Sequence, residues 1–135
     1  MQKLIIYTDG GARGNPGPAA IGAVFYNRDN KIIKKISQTI GSTTNNQAEY
    51  KALIVALGAA VDLKATEVVC YLDSELVVRQ LQGRYKVREE ALKPLITQVL
   101  KLTSNFQSVD FVHVPREKNK LADELVNKAL DDAGL

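Results

Sequence analysis

A chain of 135 residues, 45% hydrophobic and 24% charged, has the length and balance of one domain with a full core, which excludes a fibrous or disordered polypeptide. A single cysteine, Cys70, and a single histidine, His113, exclude an internal disulfide and zinc chemistry built on His and Cys clusters. No apolar run approaches the ~18 residues that cross a membrane, and the formal charge of +3 leans toward an anionic partner without identifying one.

These totals predict a single domain over residues 1–135, cytoplasmic and not membrane-bound. Met1 is followed by strand-like sequence rather than a signal peptide. Lys3 to Thr8 is rich in Leu, Ile and Tyr and reads as a buried strand. Asp9 stands where that apolar run stops, and the glycines and prolines of Gly10–Pro18 predict a long turn. Ala20 to Tyr26 reads as a second strand, in which Gly22 marks a close backbone approach. "RDNK" at 28–31 is a hairpin turn and Ile32 to Ile40 a third strand, so the chain opens as an antiparallel meander.

The period then changes. "TTNNQAEYKALIVALGAAVDL" starts with the capping residues Thr44 and Asn45 and continues as an Ala- and Leu-rich helix apolar enough to be mostly buried. "EVVCYLD" (67–73) is a strand and "SELVVRQLQGR" a short helix. Leu92, Leu95, Ile96, Val99 and Leu100 recur at helical spacing, with Pro94 in the first turn where proline costs least. "DFVHV" is a fifth strand and "NKLADELVNKAL" a terminal helix. The order βββαβααβα predicts an α/β domain around a mixed five-stranded sheet.

Most acidic residues, among them Asp29, Asp62, Glu67, Asp131 and Asp132, fall in predicted turns or near helix ends, where a solvated carboxylate is the default. Four do not. Asp9 and Asp73 each end an apolar strand; if the strands are neighbours, both emerge at one sheet edge, where α/β folds bind ligands. Glu49 lies between Ala48 and Ala52 early in the apolar helix, and Asp123 follows Ala122 at the start of the last one. Taken singly, each is first a structural residue: Asp9 a turn-maker, Asp73 a cap, Glu49 and Asp123 acids answering a helix dipole. Taken together they are different. Clustered carboxylates resist ionising unless cations neutralise them, and an oxygen-only set favours Mg²⁺ or Mn²⁺. Two such ions suit phosphodiester hydrolysis.

Four motifs in order, "YTDGGARGNPGP", "TTNNQAEYKAL", "LDSELVVRQL" and "HVPREKNKLADELVNKA", resemble the ribonuclease H type 1 family over nearly the whole chain. The resemblance implies a ribonuclease H-like fold with sheet order 3-2-1-4-5, strands 1–3 antiparallel, flanked by helices. It implies a metal-dependent endoribonuclease that cuts the RNA strand of RNA–DNA hybrids, leaving 5′-phosphate and 3′-hydroxyl ends, and leaves open cleavage of double-stranded RNA. Asp9, Glu49, Asp73 and Asp123 become the catalytic acids holding two Mg²⁺ ions, with Mn²⁺ as a substitute and Asp9 bridging. The RNA 2′-OH serves recognition across the minor groove.

Asn15, Asn46 and Gln47 carry the donors and acceptors for that recognition, and the backbone near Gly11 permits close approach. Thr44 and Asn45 either hold a DNA-strand phosphate or cap the helix. Ser74 likewise contacts substrate or caps, and Arg13 is a cation near the expected backbone path. The chain departs from the family in two places. Arg79, Arg84, Lys86, Arg88 and Lys93 are diluted by Glu89 and Glu90, so the basic protrusion of some members is absent or reduced. His113 precedes Asp123 by ten residues, but its place in "FVHVP" suggests a strand residue rather than a mobile catalytic loop. Two other readings are a non-catalytic hybrid-binding module and a nucleotide phosphate loop at "GGARGNPG". The first does not need all four acids, and the second lacks the Lys-Ser/Thr ending and is followed by a strand. Met1 and the compact ending suggest a free-standing monomer rather than a reverse-transcriptase domain.

Overall fold

In the computed structural model the opening meander comprises β1 (Lys3–Ala12), β2 (Gly17–Tyr26) and β3 (Ile32–Thr43). The described residues are 2–135; Met1, and what was expected of it, lies outside them. Then come α1 (Asn45–Asp62), β4 (Glu67–Leu72), α2 (Glu75–Leu81), α3 (Lys93–Thr103), β5 (Ser108–His113) and α4 (Lys120–Asp132). Tight turns at Glu90–Leu92 and Arg116–Lys118 lead into α3 and α4. The strands lie side by side as β3-β2-β1-β4-β5. β1 pairs with β2, and β2 with β3, antiparallel; β4 joins β1, and β5 joins β4, parallel. The expected fold class and strand order are both found.

Alternation along β1 explains the layering. Leu4, Ile6, Thr8 and Gly10 are buried, while Ile5, Tyr7 and Asp9 are only half-buried. The buried set faces α1, which contributes Tyr50, Leu53 and Leu57 to a core shared with Phe25, Val68, Cys70, Leu92 and Val99. α4 covers part of the opposite face, packing Val126, Ala129 and Leu130 against Ala20. Both helices come unusually close to the sheet. A Cβ on Gly10 would stand 2.3 Å from the Ala48 carbonyl oxygen, and one on Gly22 would stand 2.3 Å from that of Ala122. Gly22 lies opposite Asp9 in the ladder, so α1 and α4 clamp the same point of the sheet from its two faces.

Three expected boundaries are corrected. Gly10–Pro18 is not a long turn: Gly10, Gly11 and Ala12 pair with Ile21, Ala20 and Ala19, and Gly17 and Pro18 already belong to β2. The turn shrinks to residues 13–16. Composition misled because glycine also permits contact with a helix, which Gly10 makes. β3 also runs past Ile40 to Thr43. α2 ends at Leu81 rather than continuing through Arg84, and Gly83 adopts φ 74° just beyond it. Thr44 caps α1, and Asn45 is its first helical residue.

Candidate active site

The parallel register of β1 and β4 sets Tyr7 beside Tyr71. Two residues further on, on the same face, come Asp9 and Asp73, where β4 has just ended at Leu72. The strand-end juxtaposition expected from the sequence is thus built by register. Contact between Gly10 and the Ala48–Glu49 backbone carries Glu49 over the same edge. One carboxylate oxygen each from Asp9, Glu49 and Asp73 can be chosen so that all lie within 4.8 Å of one another. Asp123, in the first turn of α4, stands outside this tight trio. It lines the same cleft, whose volume is about 340 Å³ and whose walls include Gly11, Asn45 and Arg116.

Electrostatics distinguishes Asp9 and Glu49 from ordinary surface carboxylates. Burial, then the charges of Asp73 and Asp123, a hydrogen bond with Asp123 and the charge of Glu49 push Asp9 up to about 8. Glu49 is raised to about 7, chiefly by burial, with Asp73 adding to the rise. A hydrogen bond from Ser74 and the nearby Arg116 guanidinium pull it partly back. A cluster that cannot fully ionise by itself, with only oxygen donors, fits a hard divalent cation. A cation held there would supply Lewis-acid activation of water.

The polar residues proposed for substrate fall into two groups. Gly11 lines the cleft. The others sit around the α1 and α2 N-termini and are partly engaged within the protein. Asn15 Oδ1 accepts from the Asn45 N–H (3.0 Å), and Asn45 Oδ1 accepts from the Ala12 N–H (2.8 Å). Thr44 Oγ1 accepts from the Gln47 N–H (3.2 Å), while Gln47 Oε1 accepts from the Thr43 hydroxyl. Capping therefore describes Thr44. Ser74 caps α2 through the Val77 N–H (3.3 Å) and also reaches Glu49. The Asn46 side chain is half-buried. Arg13 lines the cleft but is paired with Asp131 at 2.7 Å. His113 is the exposed last residue of β5, the strand position its alternation predicted.

Two residues were missed. Arg116 lines the cleft and acts on Glu49. Asn119, 1% exposed, donates from Nδ2 to the Thr8 carbonyl (2.9 Å) and to Asp73 Oδ2 (3.4 Å). Both lie in "PREKN", which by composition is only a charged loop.

A family model described as reverse transcriptase-like matches residues 7–129. The chain is 46% identical over 132 residues to the bifunctional protein Rv2228c of Mycobacterium tuberculosis, covering 97% of this chain but 36% of that protein. Ribonuclease HI of Halobacterium salinarum is 45% identical over 131 residues, which make up 97% of this chain and 66% of that one. The chain thus spans about a third of the mycobacterial protein's length and about two thirds of the halobacterial one's. The solved structure of LC11-RNase H1 in complex with RNA/DNA hybrid superposes with TM-score 0.91 at 48% identity, covering 98% of this chain and 99% of that one.

Proposed function

This chain belongs to the reverse transcriptase-like family that includes the ribonucleases H, and on that premise we propose that it is an endoribonuclease. Its substrate in this reading is the RNA strand of RNA–DNA hybrids, cut to 5′-phosphate and 3′-hydroxyl ends. The observation that carries the proposal is the convergence of Asp9, Glu49 and Asp73 within 4.8 Å, with Asp123 on the same cleft. The related protein solved with RNA/DNA hybrid supports the choice of substrate.

In this reading Asp9, Glu49, Asp73 and Asp123 would hold two Mg²⁺ ions, replaceable by Mn²⁺. The ions supply Lewis-acid activation of water and neutralise charge at the leaving oxygen. The protein's own contribution is to place the acids. Burial keeps Asp9 and Glu49 partly protonated until a cation displaces the protons, which makes occupancy steeply dependent on pH. Gly11 allows a nucleic-acid backbone to approach the acids. Asn15, Asn46, Gln47 and Ser74 read the hybrid's minor groove and 2′-hydroxyls. The Thr44-capped N-terminus of α1 receives a phosphate of the DNA strand. Arg116, on the cleft wall, offers a cation to a substrate phosphate. We take residues 1–135 as one domain, acting as a monomer in the cytoplasm; among the described residues no helix is long and apolar enough to cross a membrane.

The test is incubation with RNA–DNA hybrid, double-stranded RNA, single-stranded RNA and duplex DNA, each with Mg²⁺, with Mn²⁺ and with chelator. Cleavage confined to the hybrid's RNA strand and abolished by chelator is expected. Intact hybrid under every metal condition defeats the proposal, and the double-stranded RNA arm decides whether that substrate is also cut.

A further inference from the structure

The geometry points to Asn119 as the positioning residue that locks the acid-bearing elements to one another. It sits between the Arg116–Lys118 turn and α4, with φ −119° and ψ 24°, and its side chain makes no capping hydrogen bond. Its partners lie elsewhere. Nδ2 donates to the carbonyl of Thr8, the residue before Asp9, and to the carboxylate of Asp73. Its own carbonyl accepts the N–H of Asp123 at 3.2 Å. A single buried residue therefore touches β1 beside one acid, the side chain of a second and the backbone of a third.

Chemistry fixes which way the amide faces. A backbone carbonyl and a carboxylate only accept, so the nitrogen must face both. Oδ1 is then left buried with no protein partner among the described residues. Leaving an acceptor unpaired in the interior costs folding free energy, and a residue retained only to begin a helix would not need that arrangement. A cap alone would not require Asn, since Ser, Thr or Asp start helices equally well. What only Asn supplies here is a neutral donor of this length aimed at Asp73. Partners of metal-ligating carboxylates orient them in this way.

This inference rests on the reading of the four acids as a metal-holding set, and the experiment separates the two. Mn²⁺ binding is measured by calorimetry, hybrid cleavage by steady-state kinetics and folding by circular dichroism, for wild type, Asn119→Ala and Asn119→Asp. Positioning predicts that Asn119→Ala weakens Mn²⁺ about 10-fold and lowers kcat about 10- to 100-fold, with KM for the hybrid unchanged within about threefold. It also predicts that Asn119→Asp, an equally good cap, turns over no faster than Asn119→Ala, because it sets acceptor against acceptor. A capping role predicts the reverse ranking. Unchanged Mn²⁺ affinity in folded Asn119→Ala, or recovery of kcat in Asn119→Asp, overturns the inference. If Asn119→Ala fails to fold, Asn119→Ser takes its place: it keeps a capping oxygen on a side chain too short for Asp73, and must show the same weakened binding. A wild type that binds no Mn²⁺ defeats the proposed function and this inference with it. A wild type that binds Mn²⁺ but leaves hybrid intact defeats only the enzyme reading.

Discussion

Burial perturbs ionisable groups in two regions of this molecule, and the regions differ in kind. Beneath α1, Cys70 is pushed up to about 12 by burial alone. Tyr50 is raised chiefly by burial, and its hydroxyl donates to Gln80 Oε1 at 2.6 Å. There the shift only keeps neutral groups neutral. At the ends of β1 and β4, Asp9 and Glu49 are raised by burial and then again by one another's neighbours. A shifted group alone therefore does not mark a site. Like charges brought together by separate elements do, because they ionise together only when a cation relieves them.

The largest effect should come from removing one of those charges at constant volume. Asp9→Asn and Asp73→Asn are each expected to lower hybrid cleavage on the order of 10³-fold or more. Asp9→Asn should also make the metal-free protein more stable at pH 8, by about 1–3 kcal/mol, since burial and repulsion both act against the native Asp9 carboxylate. Urea denaturation in chelator measures this. A folded Asp9→Asn variant that cleaves well, or one that is less stable than wild type without metal, breaks the contrast between the regions. Next comes the hinge on which the cleft is assembled. Gly10→Ala drives a methyl into the α1 backbone at Ala48, and overpacking of this sort costs about 1–3 kcal/mol. Because the displaced residue adjoins Glu49, activity should fall further than the loss of folded protein explains.

The same contrast predicts a pH dependence. Asp9 and Glu49 sit near 8 and 7 when folded, against about 4 for carboxylates in an unfolded chain. Between those limits the native state binds more protons than the unfolded one, so metal-free stability falls as pH rises through that window. The urea midpoint in chelator should therefore be higher at pH 5.5 than at pH 8, by about 2 kcal/mol of stability. Mg²⁺ should close the gap by stabilising the pH 8 sample more. Equal midpoints at the two pH values in chelator would mean that the acids repel far less than their geometry implies.

Part of this arrangement was legible in the residues. Asp9 and Asp73 announce themselves because an apolar run simply stops at each, and a β1–β4 register that pairs Tyr7 with Tyr71 does the rest. Glu49 and Asp123 are legible only as members of a set, since acids near the start of a helix are commonplace. Asn119 could not be read at all. Its partners, Thr8 and Asp73, lie 111 and 46 residues away, and no local pattern records such contacts. The glycines failed in another way. Gly10 looked like punctuation, yet it is a strand residue whose missing side chain lets α1 touch the sheet. Asn15 reads as a donor and acceptor for substrate, but its side-chain oxygen accepts the Asn45 N–H at the start of α1, and the Asn45 side-chain oxygen in turn accepts the Ala12 N–H at the end of β1.

The smallest effect belongs to the core. Tyr50→Phe removes the hydroxyl that satisfies Gln80, which is 9% exposed. That leaves Gln80 Oε1 short of a donor and should cost about 1 kcal/mol. The ring stays to fill its place, so no cavity opens. Tyr50 directly follows Glu49, which makes the variant a sharp control: the substitution lies one residue from a cleft acid but on the buried side of α1. If the two regions are functionally separate, cleavage should stay within about twofold of wild type while the urea midpoint drops slightly. A loss of cleavage as large as that of Asp9→Asn would show that the core hydroxyl tunes Glu49 through the helix, and the division between inert and functional burial would have to be redrawn along α1.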